Sequence, residues 1–357
     1  MKLLDVTEQM QMDIDYLKAM PKVELHVHVE GATTPETIRE MAQRNGVRLP
    51  VPDADLENFF QYRNFDHFVE AYYAATSTML TLEDWRLMID RFMAHQASQN
   101  VIYSEVFISA SHHLGRIPVK EWITTLGEAM KQGESTHGVR IQLIPDISRE
   151  VPETSRAVLD FVLEAHDAGV VVGLGLGGPE LGFPPELFTE YFHEARGAGL
   201  HVVAHAGETD GPSSVRGAWQ VLGAERIGHG FRVLEDPALA DEMASANIPF
   251  EVNPTSNYCI GAVSREVAHP IRKMKDAGLR VTVNSDDPAL FGASLTDEYA
   301  LLLRQGFSRE ELCELNQNAL ESTFLNPSEK ETLRQQYRVF QEEVVGGEGF
   351  EPPTRSV

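Results

Sequence analysis

Four short stretches of this chain set metal-binding and proton-transferring side chains at spacings that chemistry can use. His26-Val27-His28 places two imidazoles two residues apart, so in an extended strand both point to one face. Such a pair is a clamp for a borderline metal ion, although two nearby histidines are more often incidental. His205-Ala206-Gly207-Glu208 offers a ligand followed by an acid/base carboxyl; the plain alternative is a strand-end histidine and a helix-starting glutamate. In Gly228-His229-Gly230 the glycines let the backbone approach a ligand closely, or simply make a tight turn. Ser285-Asp286-Asp287-Pro288 carries adjacent carboxylates that could cap a helix. Alternation along a strand would instead turn one toward a metal and the other toward a substrate.

These stretches need elements to hold them together. Eight β-rich runs recur along the chain, at Val23–Val29, Val101–Ser109, Val139–Ile147, Val170–Leu176, His201–Gly207, Arg226–Gly230, Pro249–Asn257 and Arg280–Asn284. Helical patterns separate them, as at Pro152–Ala168, Pro185–Ala198, Pro237–Ala246 and His269–Ala277, several opening on Pro and closing on Gly. Eight βα units predict an α/β fold, a (β/α)8 TIM-type barrel. The four chemical stretches then fall at the ends of strands one, five, six and eight, at the mouth where barrel enzymes keep their sites. An open doubly wound sheet is the runner-up, but no Gly-rich dinucleotide fingerprint follows the first strand. Gly173-x-Gly175-x-Gly177-Gly178 has the wrong spacing for one.

The connection from Glu30 to Asn100 is too long for one helix. It holds helical patterns at Pro35–Arg44, Asp66–Ala75 and Leu82–Gln99, a helical insertion after strand one that serves as a lid or pocket wall, or as added bulk. Extra C-terminal helices are expected from Leu295. Residues 1–345 read as one domain, and the Gly- and Pro-rich stretch 346–357 as a disordered tail. His112-His113 follows strand two at the correct end and is given little weight as a substrate contact; the remaining histidines are read as surface or packing residues.

Composition narrows the partners. With 54 acidic and 30 basic residues the net charge is −24, which disfavours nucleic acid and anionic membrane surfaces. The two cysteines, Cys259 and Cys313, form no Cys-x-x-Cys pair, so a thiolate zinc site is excluded. Asp5, Glu8, Asp13 and Asp15 interrupt the N-terminal stretch, so no signal peptide is expected and the reading is a cytoplasmic protein.

In combination, Met20-Pro-Lys-Val-Glu-Leu-His-Val-His-Val-Glu-Gly-Ala32, His205-Ala-Gly-Glu208, Arg226-Ile-Gly-His-Gly230, Pro254-Thr-Ser-Asn257 and Asn284-Ser-Asp-Asp-Pro288 resemble the motifs of the adenosine/adenine deaminase family of the amidohydrolase superfamily. The likeness runs in order from Met20 to Leu325. It implies one zinc ion (Zn2+) held by His26, His28, His205 and Asp286. It implies catalytic roles for His229, which assists as base and orients the zinc-activated water, and for Glu208, which protonates purine N1. Asp287 would bond N7 and the backbone of Gly178 would bond N3, with His28 and Glu30 also facing the substrate. The rival cysteine-ligated deaminase fold is disfavoured, since no Pro-Cys-x-x-Cys follows His28-Val29-Glu30.

The implied partner is a small-molecule purine. Glu30 stands where enzymes acting on adenosine carry Asp, whereas Gly177-Gly178-Pro179-Glu180 looks like a nucleoside-type loop. The favoured reaction is hydrolytic deamination of adenosine or 2′-deoxyadenosine. The alternatives are 6-aminodeoxyfutalosine and free adenine. A noncatalytic purine-binding relative would be expected to lack Glu208 or a ligand, and none is missing.

Overall fold

A computed structural model describes residues 3–52, 56–62 and 65–346. Eight strands pair in chain order and all in parallel: β1 (Lys22–Glu24), β2 (Val101–Ile108), β3 (Arg140–Ser148), β4 (Gly173–Gly177), β5 (His201–Ala206), β6 (Arg226–His229), β7 (Pro249–Val252) and β8 (Arg280–Val283). The expected barrel is therefore present. Its closure is unusual in detail. β1 is three residues long, and its pairing with β2 shifts register between Lys22 and Val23. The seam is then made by the extended segment after it. Asp286 N donates to His26 O at 3.1 Å, and His28 N donates to Asp286 O at 2.8 Å. Leu25 N donates to the Asn284 side chain at 2.9 Å.

The barrel interior is filled, not hollow. Phe107, Ile144 and Val203 pack together with Val172 and Phe324. Below the mouth, Arg226 on β6 is held between Glu105 on β2 and Glu251 on β7, all fully buried, with Phe324 under the guanidinium at 3.9 Å. Paired on both sides, Arg226 keeps its charge despite burial. The glycines of β4 make room for this filling. A Cβ on Gly175 would fall 2.9 Å from the Phe107 ring, and one on Gly177 would fall 2.7 Å from the Asp146 carboxylate. The glycine run is thus a packing device, not a phosphate cradle.

α1 (Leu3–Ala19) precedes β1. The long connection after it contains α2 (Pro35–Asn45), α3 (Leu56–Phe59), α4 (Phe65–Thr76) and α5 (Leu82–Ser98). Thr34 caps α2 through Thr37 N, Pro35 opens it, and Gly46 closes it in the left-handed conformation. Thr81 and Asp84 form a capping box on α5. The C-terminal helices are only partly extra. Arg309–Ser322 packs on β8 and β1, and its Asn316 side chain bonds Val23 N and Pro21 O, so it covers the seam as an outer helix of the barrel. The final helix, Pro327–Gly346, takes in the first residue of the expected tail; the rest of that tail lies outside the described residues. Among the described residues no helix is long and apolar enough to cross a membrane.

Candidate active site

The barrel mouth brings the four chemical stretches to one point. His26 Nε2 lies 3.3 Å and His28 Nε2 3.4 Å from Asp286 Oδ1, and His28 Nε2 is 3.3 Å from His205 Nε2. Donor atoms of His26, His205, His229 and Asp286 lie within 4.8 Å of one another. His229 thus belongs to this tightest foursome, while His28 stands against two of its members. His229 and Asp286 are left-handed, at φ 59° and 62°. Such backbone costs roughly 1–3 kcal/mol per non-glycine residue and is tolerated where it aims a functional side chain.

The cluster fits a cation. His205 Nδ1 is bound to Leu176 O at 2.9 Å, and His26 Nδ1 to Glu251 Oε2 at 2.8 Å. Each bond fixes the tautomer that turns an Nε2 lone pair inward, the usual support for a metal-binding imidazole. The buried His26 Nε2 has no hydrogen-bond partner. Burial holds His28 well below the usual histidine range, and burial with the His26 charge takes His205 down to about 4, so both are neutral. Burial would also lower His26, but the Asp286 and Glu251 carboxylates beside it push it up to about 9. A metal ion would take the place of that proton. Burial opposes the charge on Asp286, yet the surrounding imidazoles hold it below the carboxylate range.

Two carboxyls beside the cluster behave oppositely. Burial, then Asp286 and Glu180, push Glu208 well above the ordinary range. Burial, then Asp286, Glu30 and Glu208, do the same to Asp287. Burial thus favours the neutral, donating form of each. Asp287 starts the short helix Pro288–Phe291 without making a side-chain capping bond, so the capping reading fails and the carboxyl is free to line the cavity. Glu208 lies in a loop before the helix Pro212–Arg216, not inside it. That loop is pinned by Glu180, whose carboxylate accepts from Gly207 N, Glu208 N, Thr209 N and Ser214 Oγ. Burial would raise Glu180, but Ser214, Arg149 and these amides pull it below its usual range.

The cavity at this point has a free volume of about 90 Å³. Its wall includes His28, Gly178, His205, Glu208, His229, Asp286 and Asp287. From α4 come Phe65, Phe68, Val69, Tyr72 and Tyr73, so this part of the insertion is a pocket wall. Glu30 lies behind that surface. It is fully buried and accepts from Ser109 N at 2.9 Å, with His113 Nε2 at 3.2 Å, while Ser109 itself lines the cavity. His112, given little weight in the sequence, lines the cavity beside Ser148.

Sequence reasoning missed several groups. Asp146, at the end of β3, lines the cavity; burial, then Glu30 and Glu150, push its carboxyl well up, and Oδ1 has no partner. Strand-end position was the signal that could have found it. Glu251, which orients His26, and Asn253, which bonds His229, gave no such signal, because each acts through a side chain far away in sequence.

Comparison with known proteins agrees with this geometry. The family model described as adenosine deaminase matches residues 21–339. An adenine deaminase from Streptomyces coelicolor is 37% identical over 332 residues, covering 92% of this chain and 96% of that protein. An aminodeoxyfutalosine deaminase from the same organism is 37% identical over 319 residues, covering 87% and 82% respectively. The crystal structure of an adenine deaminase from Arthrobacter aurescens superposes with a TM-score of 0.86 at 32% identity, covering 92% of this chain and 100% of that one. The barrel, the convergent imidazoles and carboxylate at its mouth, and these likenesses together establish that the chain belongs to the adenosine deaminase family.

Proposed function

We propose that this protein hydrolytically replaces the 6-amino group of an adenine-type ring, releasing ammonia. The observation that carries the reading is geometric: Glu208 and Asp287 both line the cavity that the cation cluster faces, where burial pushes both carboxyls up. An adenine ring presents lone pairs at N1 and N7, on either side of C6. Two carboxyl donors suit those two acceptors.

His26, His28, His205 and Asp286 would hold one zinc ion, for which three imidazoles and a carboxylate are a fitting donor set. When bound, such an ion acidifies water and makes it a nucleophile near neutral pH. Glu208 gives its proton to N1 as oxygen adds at C6, so that the ring accepts the incoming electron pair. Asp287 holds N7 and the Gly178 backbone holds N3. His229 orients the attacking water. The Glu208 carboxylate then takes the proton of the added hydroxyl and hands it to the amine, the C6–N bond breaks and ammonia leaves a C6 carbonyl, and the proton shed by the water restores Glu208.

The substrate reading changes from that favoured by the sequence. The relatives support an adenine or aminodeoxyfutalosine substrate better than adenosine or 2′-deoxyadenosine. We favour the larger of the two. The cavity wall extends from the cation cluster past Gly178 to the aromatic side chains of α4, beyond the groups assigned to the base. Among the described residues no Lys or Arg lines it, so a 5′-phosphate would lack a counter-charge. Free adenine is the second reading, supported by the relatives bearing that name. The test compares kcat/KM for 6-aminodeoxyfutalosine, adenine, adenosine and 2′-deoxyadenosine. The first should lead the series; a lead for adenine selects the second reading, and no ammonia from any of them sinks the deaminase proposal.

One substitution tests the placement of Asp287. A Cβ on Gly31 would fall 1.7 Å from Asp287 Oδ1 and 2.4 Å from its Cβ. Gly31→Ala must therefore push the Asp287 carboxyl off the ring. A misplacement on the order of 1 Å costs about 10²-fold in rate, so kcat/KM should fall by that order with metal content unchanged. Unaltered kinetics would remove Asp287 from the substrate site.

A further inference from the structure

A buried chain of side chains leads from outside the cavity to the two proton-handling groups. It begins at the backbone N–H of Ile271, which donates to His269 Nδ1 at 3.2 Å. His269 is 1% exposed, and its other nitrogen, Nε2, lies 3.1 Å from Asn257 Oδ1. The Asn257 amide nitrogen then lies 2.9 Å from Glu208 Oε1 and 3.1 Å from His229 Nδ1. Asn253 joins from the other side. Its amide nitrogen donates to Glu251 O at 3.3 Å and lies 3.2 Å from the same His229 Nδ1.

The directions of these bonds are fixed by groups that have no choice. A backbone N–H can only donate, so His269 Nδ1 accepts and the proton of the neutral ring sits on Nε2. That proton needs an acceptor, which makes the facing Asn257 atom the carbonyl oxygen. The Asn257 amide nitrogen is therefore the end that faces Glu208 and His229. A backbone carbonyl can only accept, so Asn253 also turns its nitrogen toward His229. Two N–H donors meet at His229 Nδ1 and assign it a lone pair, with Glu208 Oε1, which accepts from Asn257, 3.2 Å from the same nitrogen. With its lone pair on Nδ1, the ring carries its single proton on Nε2, the nitrogen 3.8 Å from Asp286 Oδ2. Burial takes His269 down to about 3, so the relay holds its neutral form.

We propose that His269, acting through Asn257 and seconded by Asn253, is the positioning residue that locks His229 in its Nε2–H tautomer and clamps the Glu208 carboxyl beside it. Resting on the deaminase reading, this refines it. His229 begins the reaction as a hydrogen-bond donor toward the reacting oxygen, not as a base and not as a metal ligand. Its lone pair points away from the cation cluster, into the two asparagines. The ligand set is then His26, His28, His205 and Asp286, although His229 lies as near to the cluster as any of them.

The test reads the tautomer directly. Long-range 1H–15N correlation of 15N-histidine-labelled protein, as isolated, distinguishes a protonated from an unprotonated ring nitrogen, with His229 assigned by its absence in His229→Gln. The wild type should show Nδ1 unprotonated and Nε2 protonated for both His229 and His269. A proton on His229 Nδ1 would overturn the proposal without any further variant. His269→Leu frees the Asn257 amide to rotate, and His229 should gain the other tautomer. Loss of an outer partner of this kind typically costs about 10–100-fold, here expected in kcat with KM and metal content held. His269→Gln, whose amide can again donate to Asn257, should recover most of it. A His229 spectrum unmoved by His269→Leu refutes the relay even if deamination proceeds. A spectrum that moves in a protein deaminating none of the four compounds keeps the relay and rejects the reaction.

Discussion

Glu208→Gln should lower kcat by about 10²–10⁴-fold, the range by which a positioned proton donor contributes, while the metal content stays the same. The substitution keeps the size of the side chain and a carbonyl oxygen for Asn257. What it removes is the acidic proton. In the folded protein burial, Asp286 and Glu180 keep that proton on Glu208. A glutamine amide can still point an N–H at N1, but it cannot transfer a proton there. Binding should survive and the chemical step should not, so KM moves little. The wild type should also lose activity as pH rises through the raised pKa of Glu208, because the donor form is the active one. The residual activity of the glutamine variant should lack that alkaline limb. Loss of metal on Glu208→Gln would instead place this carboxyl among the ligands and undo the assignment.

The second large effect is that of metal removal. Dialysis against a chelator should abolish turnover, and added zinc should restore it. The effect should also be visible without substrate. A ligand that binds only the folded state stabilises it by about 4 kcal/mol at a thousand times its dissociation constant, so chelation should lower Tm by several degrees. The cluster explains the direction. In the metal-free protein Asp286 stands ionised among four buried imidazoles, with His26 Nε2 3.3 Å from its Oδ1. Full activity in protein shown to be free of metal would sink the mechanism.

Much of this site was legible in the sequence because barrel strands alternate. His26-Val-His28 announces its direction by spacing and the strand ends announce where the mouth lies, whereas Asp286 and Asp287 diverge at a left-handed residue beyond β8 and not by strand alternation. The barrel itself was legible for the same reason. The boundaries were less so. The run Val23–Val29 reads as one strand, yet regular pairing stops at Glu24, because the residues after it change partners to Asp286 and Phe107. The run Pro249–Asn257 also reads as one strand, but it ends at Val252 and Pro254 opens a helix, since proline fits a first helical turn and not a central ladder. That turn carries Asn257 to Glu208 and His229. Position 257 closes the motif Pro254-Thr-Ser-Asn257, yet no role for it follows until the chain is folded. The contacts that set tautomers, such as His26 with Glu251 or His269 with Asn257, join ordinary residue types across the barrel, and no local pattern marks them. The substrate was the least legible, because α4, which builds the far wall, comes from outside the strand repeat.

The seam of the barrel carries one more consequence. Asp286 joins the last strand to the first through its backbone amide and carbonyl, while its side chain faces the cation cluster. Architecture and reactivity therefore use different atoms of one residue. Asp286→Asn should leave the barrel latched while weakening its hold on the ion. Chemistry at this position is open to revision without reopening the fold, the kind of separation that lets one scaffold change what it hydrolyses.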